Sequence, residues 1–190
     1  MSTFQRPFLF ERLCLPKVWG GRALEGLLGI PLPPGEAVGE TWELYDRPEG
    51  SSKVRGEDRT LADLLRENPL ALLGERYAGR VPSRFPLLLK FLDARDVLSV
   101  QVHPDDVLAQ GTGDGGKNEA WVVLQVEPDG RIRRGIKPGT TQEQFAAAAS
   151  TSAVEDLLVE LRPRPGDVVA IPAGTVHAIG PGVAVFEVQQ

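Results

Sequence analysis

The sequence predicts a mainly β protein, an antiparallel barrel or sandwich with two helical insertions. Sixteen prolines and 21 glycines divide the 190 residues into short runs. Most of these runs alternate polar and apolar side chains or are rich in β-branched residues, and such runs between Pro and Gly are typical of strands in all-β domains. The chain length and the 42% of hydrophobic residues suffice for one domain with its own core.

Six runs are predicted as strands: residues 40–45, 87–92, 97–102, 120–126, 167–172 and 183–188. Side chains along a strand alternate between its two faces. In the run 97–102, Ser99 and Gln101 therefore share one face, while Leu98 and Val100 share the other. A barrel strand with one apolar face and polar groups on the other can present those groups to an enclosed site.

The first predicted helix covers residues 60–73, in a helical insertion that extends to about residue 80. Thr60 and Asp63 have the spacing of a capping box in front of an apolar run, which marks a helix N-terminus. The pair Asn68-Pro69 predicts a break inside this segment, because proline cannot continue a helix.

The second predicted helix covers residues 141–158. Thr141 and Gln144 repeat the capping-box spacing, and the alanine-rich run FAAAA follows. The polar residues 150–152 can divide this segment into two helices. We expect both helical segments to lie outside the barrel.

Composition excludes several function classes. With Lys+Arg 21 against Asp+Glu 26, the net charge is −5, so we expect neither nucleic acid nor a membrane as a partner. Cys14 is the single cysteine and cannot form an intrachain disulfide. The N-terminus does not have the pattern of a signal peptide, and we expect a cytoplasmic protein.

The glycine-rich residues 111–116 lack the features of a P-loop and are predicted to form an ordinary loop.

The two histidines of the chain, His103 and His177, both occur next to other potential metal ligands. His103 shares a strand face with Gln101, and Glu119 opens a later strand from which its carboxylate can point inward. His177 follows a strand, a proline and a glycine that force a tight turn. Two imidazoles, a carboxylate and an amide oxygen suit a catalytic divalent ion, and the ligand types alone allow zinc, iron or manganese.

Lys90 and Lys117 are candidates for substrate binding and proton transfer. Lys90 interrupts the apolar run LLLKFL, where an ammonium is costly to bury without a partner. It either binds a partner or ligand there, or caps the strand end, or reaches out to water. Lys117 lies two residues before Glu119 and is either part of the site or a solvated loop residue.

The remaining candidates lie on predicted strands. Glu187 shares a face with Val183 and Val185 on the last strand, where it either lines a pocket or is solvated. Trp42 and Trp121 are predicted to be packing residues, although Trp121 shares the inward face of Glu119.

Several separated motifs resemble one family, the type I mannose-6-phosphate isomerases (phosphomannose isomerases) of the cupin superfamily. Residues 166–177 match the second cupin motif, G-x5-P-x-G-x2-H, although Pro181 stands where many cupins carry Asn. The segments FPLLLKFLDARDVLSVQVHPDD, GKNEAWVVL and IPAGTVHAIGPG follow the family in order, as do VWGG and GETWEL near the N-terminus. The resemblance extends from about residue 7 to residue 190 and implies a single catalytic domain with a cupin jelly-roll barrel.

The resemblance also implies roles for individual residues. The zinc ligands of the family correspond to Gln101, His103, Glu119 and His177, one divalent ion per chain. Its active-site lysines correspond to Lys90 and Lys117, and its active-site serine to Ser99. The implied reaction is the interconversion of mannose 6-phosphate and fructose 6-phosphate through an enediol. Lys117 is the favoured acid/base, because a nearby cation favours the neutral amine. Lys90, Ser99 and Glu187 are expected to position the hexose 6-phosphate.

One departure keeps two other functions open. Family members continue past the strand FEVQQ into a segment of the type NSD…YR, whose arginine reaches the active site, whereas this sequence ends at Gln190. We therefore expect this arginine and the later β-structure to be absent. A non-catalytic sugar-phosphate-binding cupin is one alternative, and a metal-dependent cupin such as an iron dioxygenase is the other. The glutamine ligand and the two lysines argue against the dioxygenase.

Overall fold

The computed structural model describes residues 4, 6–112 and 115–190. Residues 113 and 114 of the predicted glycine-rich loop lie outside this part of the chain. The strands of the described residues are, in chain order, β1 Leu13–Gly21, β2 Val38–Leu44, β3 Asp46–Arg47, β4 Gly50–Ser51, β5 Leu88–Ala94, β6 Glu119–Val126, β7 Ile132–Ile136, β8 Leu158–Leu161, β9 Val168–Ile171, β10 His177–Ile179 and β11 Val183–Gln189. The helices are α1 Ala23–Leu28, α2 Leu61–Glu67, α3 Pro69–Leu73 and α4 Gln142–Ala148, with 3-10 helices at Glu75–Tyr77 and Ser152–Leu157.

Two antiparallel sheets enclose the core. The larger sheet has the order β1-β2-β5-β11-β6-β9, and the smaller has the order β10-β7-β8. Buried residues of both sheets form one cluster, with Leu92, Val123 and Val185 from the larger and Ile132 and Ile179 from the smaller. The helices contribute no residue to this cluster within the described chain. The structure thus confirms the predicted mainly β jelly-roll barrel with helical insertions.

One of the six predicted strands is wrong. Residues 97–102 form no regular strand, and only Gln101 makes an isolated bridge, to His177. The backbone N–H groups of Leu98 and Gln101 donate to the carbonyls of Ile179 and His177, at 3.0 and 2.9 Å. The segment is extended along one short strand of the smaller sheet, which leaves too few ladder partners for regular pairing. The other five predicted strands coincide with β2, β5, β6, β9 and β11 to within two residues at each end.

The strands that sequence reasoning missed are short or interrupted. β1 (LCLPKVWGG) contains Pro16 and ends in two glycines, and its register with β2 shifts at Pro16. β7 (IRRGI) has consecutive arginines and a glycine instead of alternation. β10 has three residues. Such segments are strands because a neighbouring strand supplies hydrogen bonds, and this information is not local.

Both predicted capping boxes are present. Thr60 and Asp63 cap α2, and Asn68 ends α2 and caps α3, as the predicted break requires. Thr141 and Gln144 cap α4. The second segment divides as predicted, into α4 and a 3-10 helix, but the prediction was wrong at Leu158, which begins β8.

Helix α1 was not predicted from the sequence. Its first backbone N–H, from Ala23, donates to Oδ2 of Asp93 on β5, at 2.7 Å. Because this cap comes from a residue 70 positions away, no local start signal precedes the helix. None of the described helices has the length and apolar character that crossing a membrane requires.

Candidate active site

A cavity of about 250 Å³ opens between the two sheets. The register of the larger sheet aligns Glu187 on β11 with Lys90 on β5 and with Trp121 on β6. These three side chains therefore lie next to one another across three strands and line the cavity. Glu40 on β2 and Glu119 on β6 line the same cavity.

Three potential metal ligands lie together, and two of them, Glu119 and His177, line this cavity. His103, Glu119 and His177 each offer a ligand atom, and these atoms lie within 4.8 Å of one another. His103 Nε2 lies 3.2 Å from Glu119 Oε1, and His177 Nε2 lies 3.5 Å from Glu119 Oε2. Glu119 is thus the centre of the cluster, and its two carboxylate oxygens face one imidazole each.

The imidazole of His177 is oriented by the backbone. Its Nδ1 lies 2.8 Å from the carbonyl oxygen of Thr175. A carbonyl only accepts hydrogen bonds, so Nδ1 carries the proton and Nε2 keeps its lone pair. This leaves on the Glu119 side the nitrogen that a metal ion requires, and such a backbone contact is a common way to fix a metal-binding tautomer.

Gln101 and Ser99 line the same cavity. The Gln101 side chain donates from Nε2 to Ser99 Oγ, at 3.0 Å, so its amide oxygen remains available as a ligand. The backbone bridge between Gln101 and His177 holds these two residues side by side. The structure therefore brings three of the four predicted ligands together and places Gln101 beside His177, although the strand expected to carry Gln101 is absent.

The donor set fits a divalent cation. Two imidazole nitrogens, a carboxylate and an amide oxygen all offer lone pairs. The ammonium of Lys117 lies 2.8 Å from Glu119 Oε1 and 3.2 Å from His103 Nε2, so a positive charge already lies against two of these donors. Lys117 is thus part of the site and not a solvated loop residue.

The protonation states of the cluster also suit metal binding. Burial, and then the charge of Lys117, lower the pKa of His103. Burial opposes ionisation of Glu119, but the hydrogen bond and charge of Lys117 outweigh it and lower the pKa of this carboxyl. A neutral imidazole and an ionised carboxylate are the forms that bind metal ions.

Lys90 is held inside the cavity by carboxylates. Its Nζ lies 3.1 Å from Glu187 Oε1 and 4.0 Å from Glu40 Oε2, and its side chain is 13% exposed. Burial alone would lower the pKa of Lys90, but the two carboxylates outweigh burial and raise it. Of the alternatives left open by the sequence, the structure selects the buried partner over strand capping or contact with water.

Glu187 is buried rather than solvated, and burial raises its pKa. The indole Nε1 of Trp121 donates to Glu187 Oε2, at 2.9 Å. The Trp121 ring also packs edge-on against the His177 imidazole, with 5.4 Å between the ring centroids. Trp121 thus packs as predicted and, in addition, orients a carboxylate beside the metal-ligand cluster.

Sequence reasoning missed two polar residues of the cavity, Glu40 and Lys17. The carboxylate of Glu40 lies 3.4 Å from Lys17 Nζ and accepts a hydrogen bond from Trp42 Nε1, at 2.7 Å. The signal was present in β2, where Glu40 occupies the same face as Val38. An acidic residue on the apolar face of a strand is typical of a functional cavity.

Comparison with known proteins gives consistent matches. The family of the catalytic domain of type I phosphomannose isomerase matches residues 9–120. The mannose-6-phosphate isomerase ManA of Bacillus subtilis (strain 168) is 35% identical over 189 residues. The crystal structure of the mannose 6-phosphate isomerase from Bacillus subtilis is 34% identical and superposes with a TM-score of 0.82, covering 98% of this chain and 59% of that one.

A structure of a mannose 6-phosphate isomerase bound with zinc and yttrium has the same fold. It superposes with a TM-score of 0.72 at 21% identity, covering 96% of this chain and 67% of that one. The match to ManA covers 97% of this chain and 58% of that protein. The chain therefore spans somewhat more than half the length of the curated relative.

Proposed function

The chain belongs to the family of type I phosphomannose isomerases, and from this we propose that it interconverts mannose 6-phosphate and fructose 6-phosphate. The observation that carries the proposal is the convergence of His103, Glu119 and His177 beside a cavity that also holds Lys117 and the Lys90–Glu187 pair. A metal site and proton-carrying side chains in one cavity are what an aldose–ketose isomerisation requires. The shared core of the two sheets supports one catalytic domain over residues 1–190.

We propose that Gln101, His103, Glu119 and His177 hold one zinc ion. The proposal is supported by the nitrogen and oxygen donor set, which suits catalytic zinc, and by the zinc in the isomerase of the same fold. When bound, the ion supplies a Lewis acid for the oxygens of the sugar as negative charge develops on them.

The side chains of this chain bind the sugar and move its proton. The reaction transfers a proton between C1 and C2 through an enediol, so a base must reach the carbon-bound proton and return it. Lys117 is the proposed acid/base, since its Nζ lies beside Glu119 Oε1 and His103 Nε2. Lys90, Ser99 and Glu187 are proposed to bind the sugar, and Trp121 and Lys90 fix the Glu187 carboxylate for this task.

Metal content and turnover of the purified chain test both parts of the proposal. We expect about one zinc per chain, measured by elemental analysis, and its loss in His177→Ala and Glu119→Gln. The matched control is Glu36→Gln, because Glu36 is exposed and does not line the cavity. Turnover is measured with mannose 6-phosphate, and Lys117→Ala should abolish it while metal content stays at the wild-type level.

Each of the following outcomes would contradict one part of the proposed function. Full turnover in Lys117→Ala at unchanged metal content would exclude Lys117 as the acid/base. Zinc without turnover would leave a metal-holding sugar-phosphate-binding domain, and oxygen uptake that depends on iron would indicate a dioxygenase. Wild-type protein without metal would exclude the ligand set.

A further inference from the structure

The lysines of the catalytic cavity each already contact a carboxylate. Lys17 is 3.4 Å from Glu40, Lys90 is 3.1 Å from Glu187 and 4.0 Å from Glu40, and Lys117 is 2.8 Å from Glu119. A phosphate dianion is bound by cations and N–H donors. Lys17 and Lys90 are thus matched by carboxylates and Lys117 is the proposed acid/base, which leaves recognition of the phosphate to another group.

A second cavity, which we call the outer chamber, adjoins the first. It measures about 450 Å³ and shares Lys17, Glu40, Lys90 and Lys117 with the catalytic cavity. The two cavities therefore meet at these four side chains.

Arg47 lines the outer chamber and is half-buried. Within residues 4, 6–112 and 115–190, its guanidinium makes no ion pair and no side-chain hydrogen bond. Glu49 also lines the chamber but is exposed and is not paired with Arg47. A planar guanidinium presents a fork of N–H donors that matches phosphate oxygens.

The position of Arg47 is fixed by its neighbour in the sequence. Asp46 is buried, and its Oδ2 accepts a hydrogen bond from the backbone N–H of Phe85, at 2.9 Å. This bond ties the β3–β4 hairpin to the segment before β5. Arg84 in that segment lines a further cavity together with Arg47 but not the outer chamber, so Arg47 is the arginine that the chamber presents to a ligand.

The outer chamber also contains a buried hydrogen-bond acceptor. Gln189 is 6% exposed, lines the outer chamber, and its Oε1 has no hydrogen-bond partner in the described chain. Its register partner on β6 is Glu119. A buried amide oxygen without a donor is costly, and a sugar hydroxyl would supply the donor.

The span of the sheet suits a hexose 6-phosphate. Glu119 lies on β6, and Arg47 follows β2, three strands away in the order β2-β5-β11-β6. With strands about 4.8 Å apart, β6 and β2 are roughly 14 Å apart between backbones, and Arg47 follows the end of β2 by three residues. A sugar at the metal-ligand cluster would thus point its phosphate towards Arg47.

We propose that Arg47 binds the phosphate group of the substrate in the outer chamber, with Gln189 Oε1 accepting a hydrogen bond from a sugar hydroxyl. This rests on the proposed function for the identity of the sugar. In this arrangement Lys90 stays paired with the Glu187 carboxylate and does not bind the phosphate.

The test compares Arg47→Gln with Arg162→Gln, an exposed arginine outside the chamber. For each protein, kcat/KM is measured with mannose 6-phosphate and with mannose, and their ratio isolates recognition of the phosphate. We expect Arg47→Gln to lower the ratio by at least about tenfold, the effect of one charge-assisted hydrogen bond, and Arg162→Gln to leave it unchanged.

Binding of inorganic phosphate, measured by titration calorimetry on metal-free protein, decides the subsite separately from turnover. We expect Arg47→Gln to weaken it by at least about tenfold. If the wild type turns over neither sugar, the proposed function fails while this binding still tests Arg47. An unchanged ratio in an active enzyme, or unchanged phosphate binding in Arg47→Gln, would overturn the proposal.

Discussion

Replacing Lys90 by methionine should destabilise the fold, because it removes a cation from between two buried carboxylates. Nζ of Lys90 lies 3.1 Å from Glu187 Oε1, and the two side chains are 13% and 4% exposed. Breaking a buried ion pair by removing one partner costs about 3–5 kcal/mol. We expect the lower end, about 3 kcal/mol, since Trp121 still donates to Glu187 Oε2. For a chain of this size that is a loss of about 6–12 °C in Tm.

A double variant separates the charge from the packing. In Lys90→Met/Glu187→Gln both charges are absent, and the new amide oxygen still accepts from the Trp121 indole. Glu40 keeps its ion pair with Lys17 and its hydrogen bond from Trp42. We therefore expect the double variant to recover at least half of the lost stability, as removal of both members of a buried pair is often tolerated.

Urea unfolding followed by tryptophan fluorescence, with chelator present so that bound metal adds nothing, gives the free energies of unfolding. The cost of Lys90→Met should shrink at acid pH, because Glu187 then takes up a proton and no buried charge is left unpaired. A loss below about 1 kcal/mol at neutral pH, or a double variant no more stable than the single one, would refute the reasoning.

Two further predictions concern positions outside the cavity. Burial raises the pKa of Asp93 above 3.8, so the folded state retains a proton that the unfolded state loses. The free energy of unfolding of the wild type, relative to that of Asp93→Asn, should therefore fall as pH rises above that value. Urea unfolding of both proteins from pH 3.5 upwards measures this difference, and a difference that does not change with pH would contradict the prediction. A Cβ at Gly20 would lie 2.4 Å from the backbone nitrogen of Gly39, whereas one at Gly26 in α1 would meet nothing within 4 Å. Gly20→Ala should lose at least about 2 kcal/mol and Gly26→Ala gain about 0.5–1 kcal/mol; thermal unfolding with equal shifts for both would contradict this.

Much of the fold could be predicted because its signals are local. Capping boxes at Thr60 and Thr141 and the break at Asn68 depend on residues within one helical turn, and they appear where predicted. The β10 strand and helix α1 could not be predicted, because the former exists through pairing with β7 and the latter through a cap from Asp93.

For the candidate site, the sequence by itself determined which side chains are available. Only two histidines occur, and the patterns around them named the residues that the structure brings together with Glu119 and Lys117. The sequence could not determine which carboxylate neutralises which lysine, that Glu187 is buried under Trp121, or that Arg47 remains unmatched in the described chain. Those pairings depend on the register of strands far apart in the chain, and Coulomb and desolvation energies depend on distance and burial, which only the tertiary structure sets.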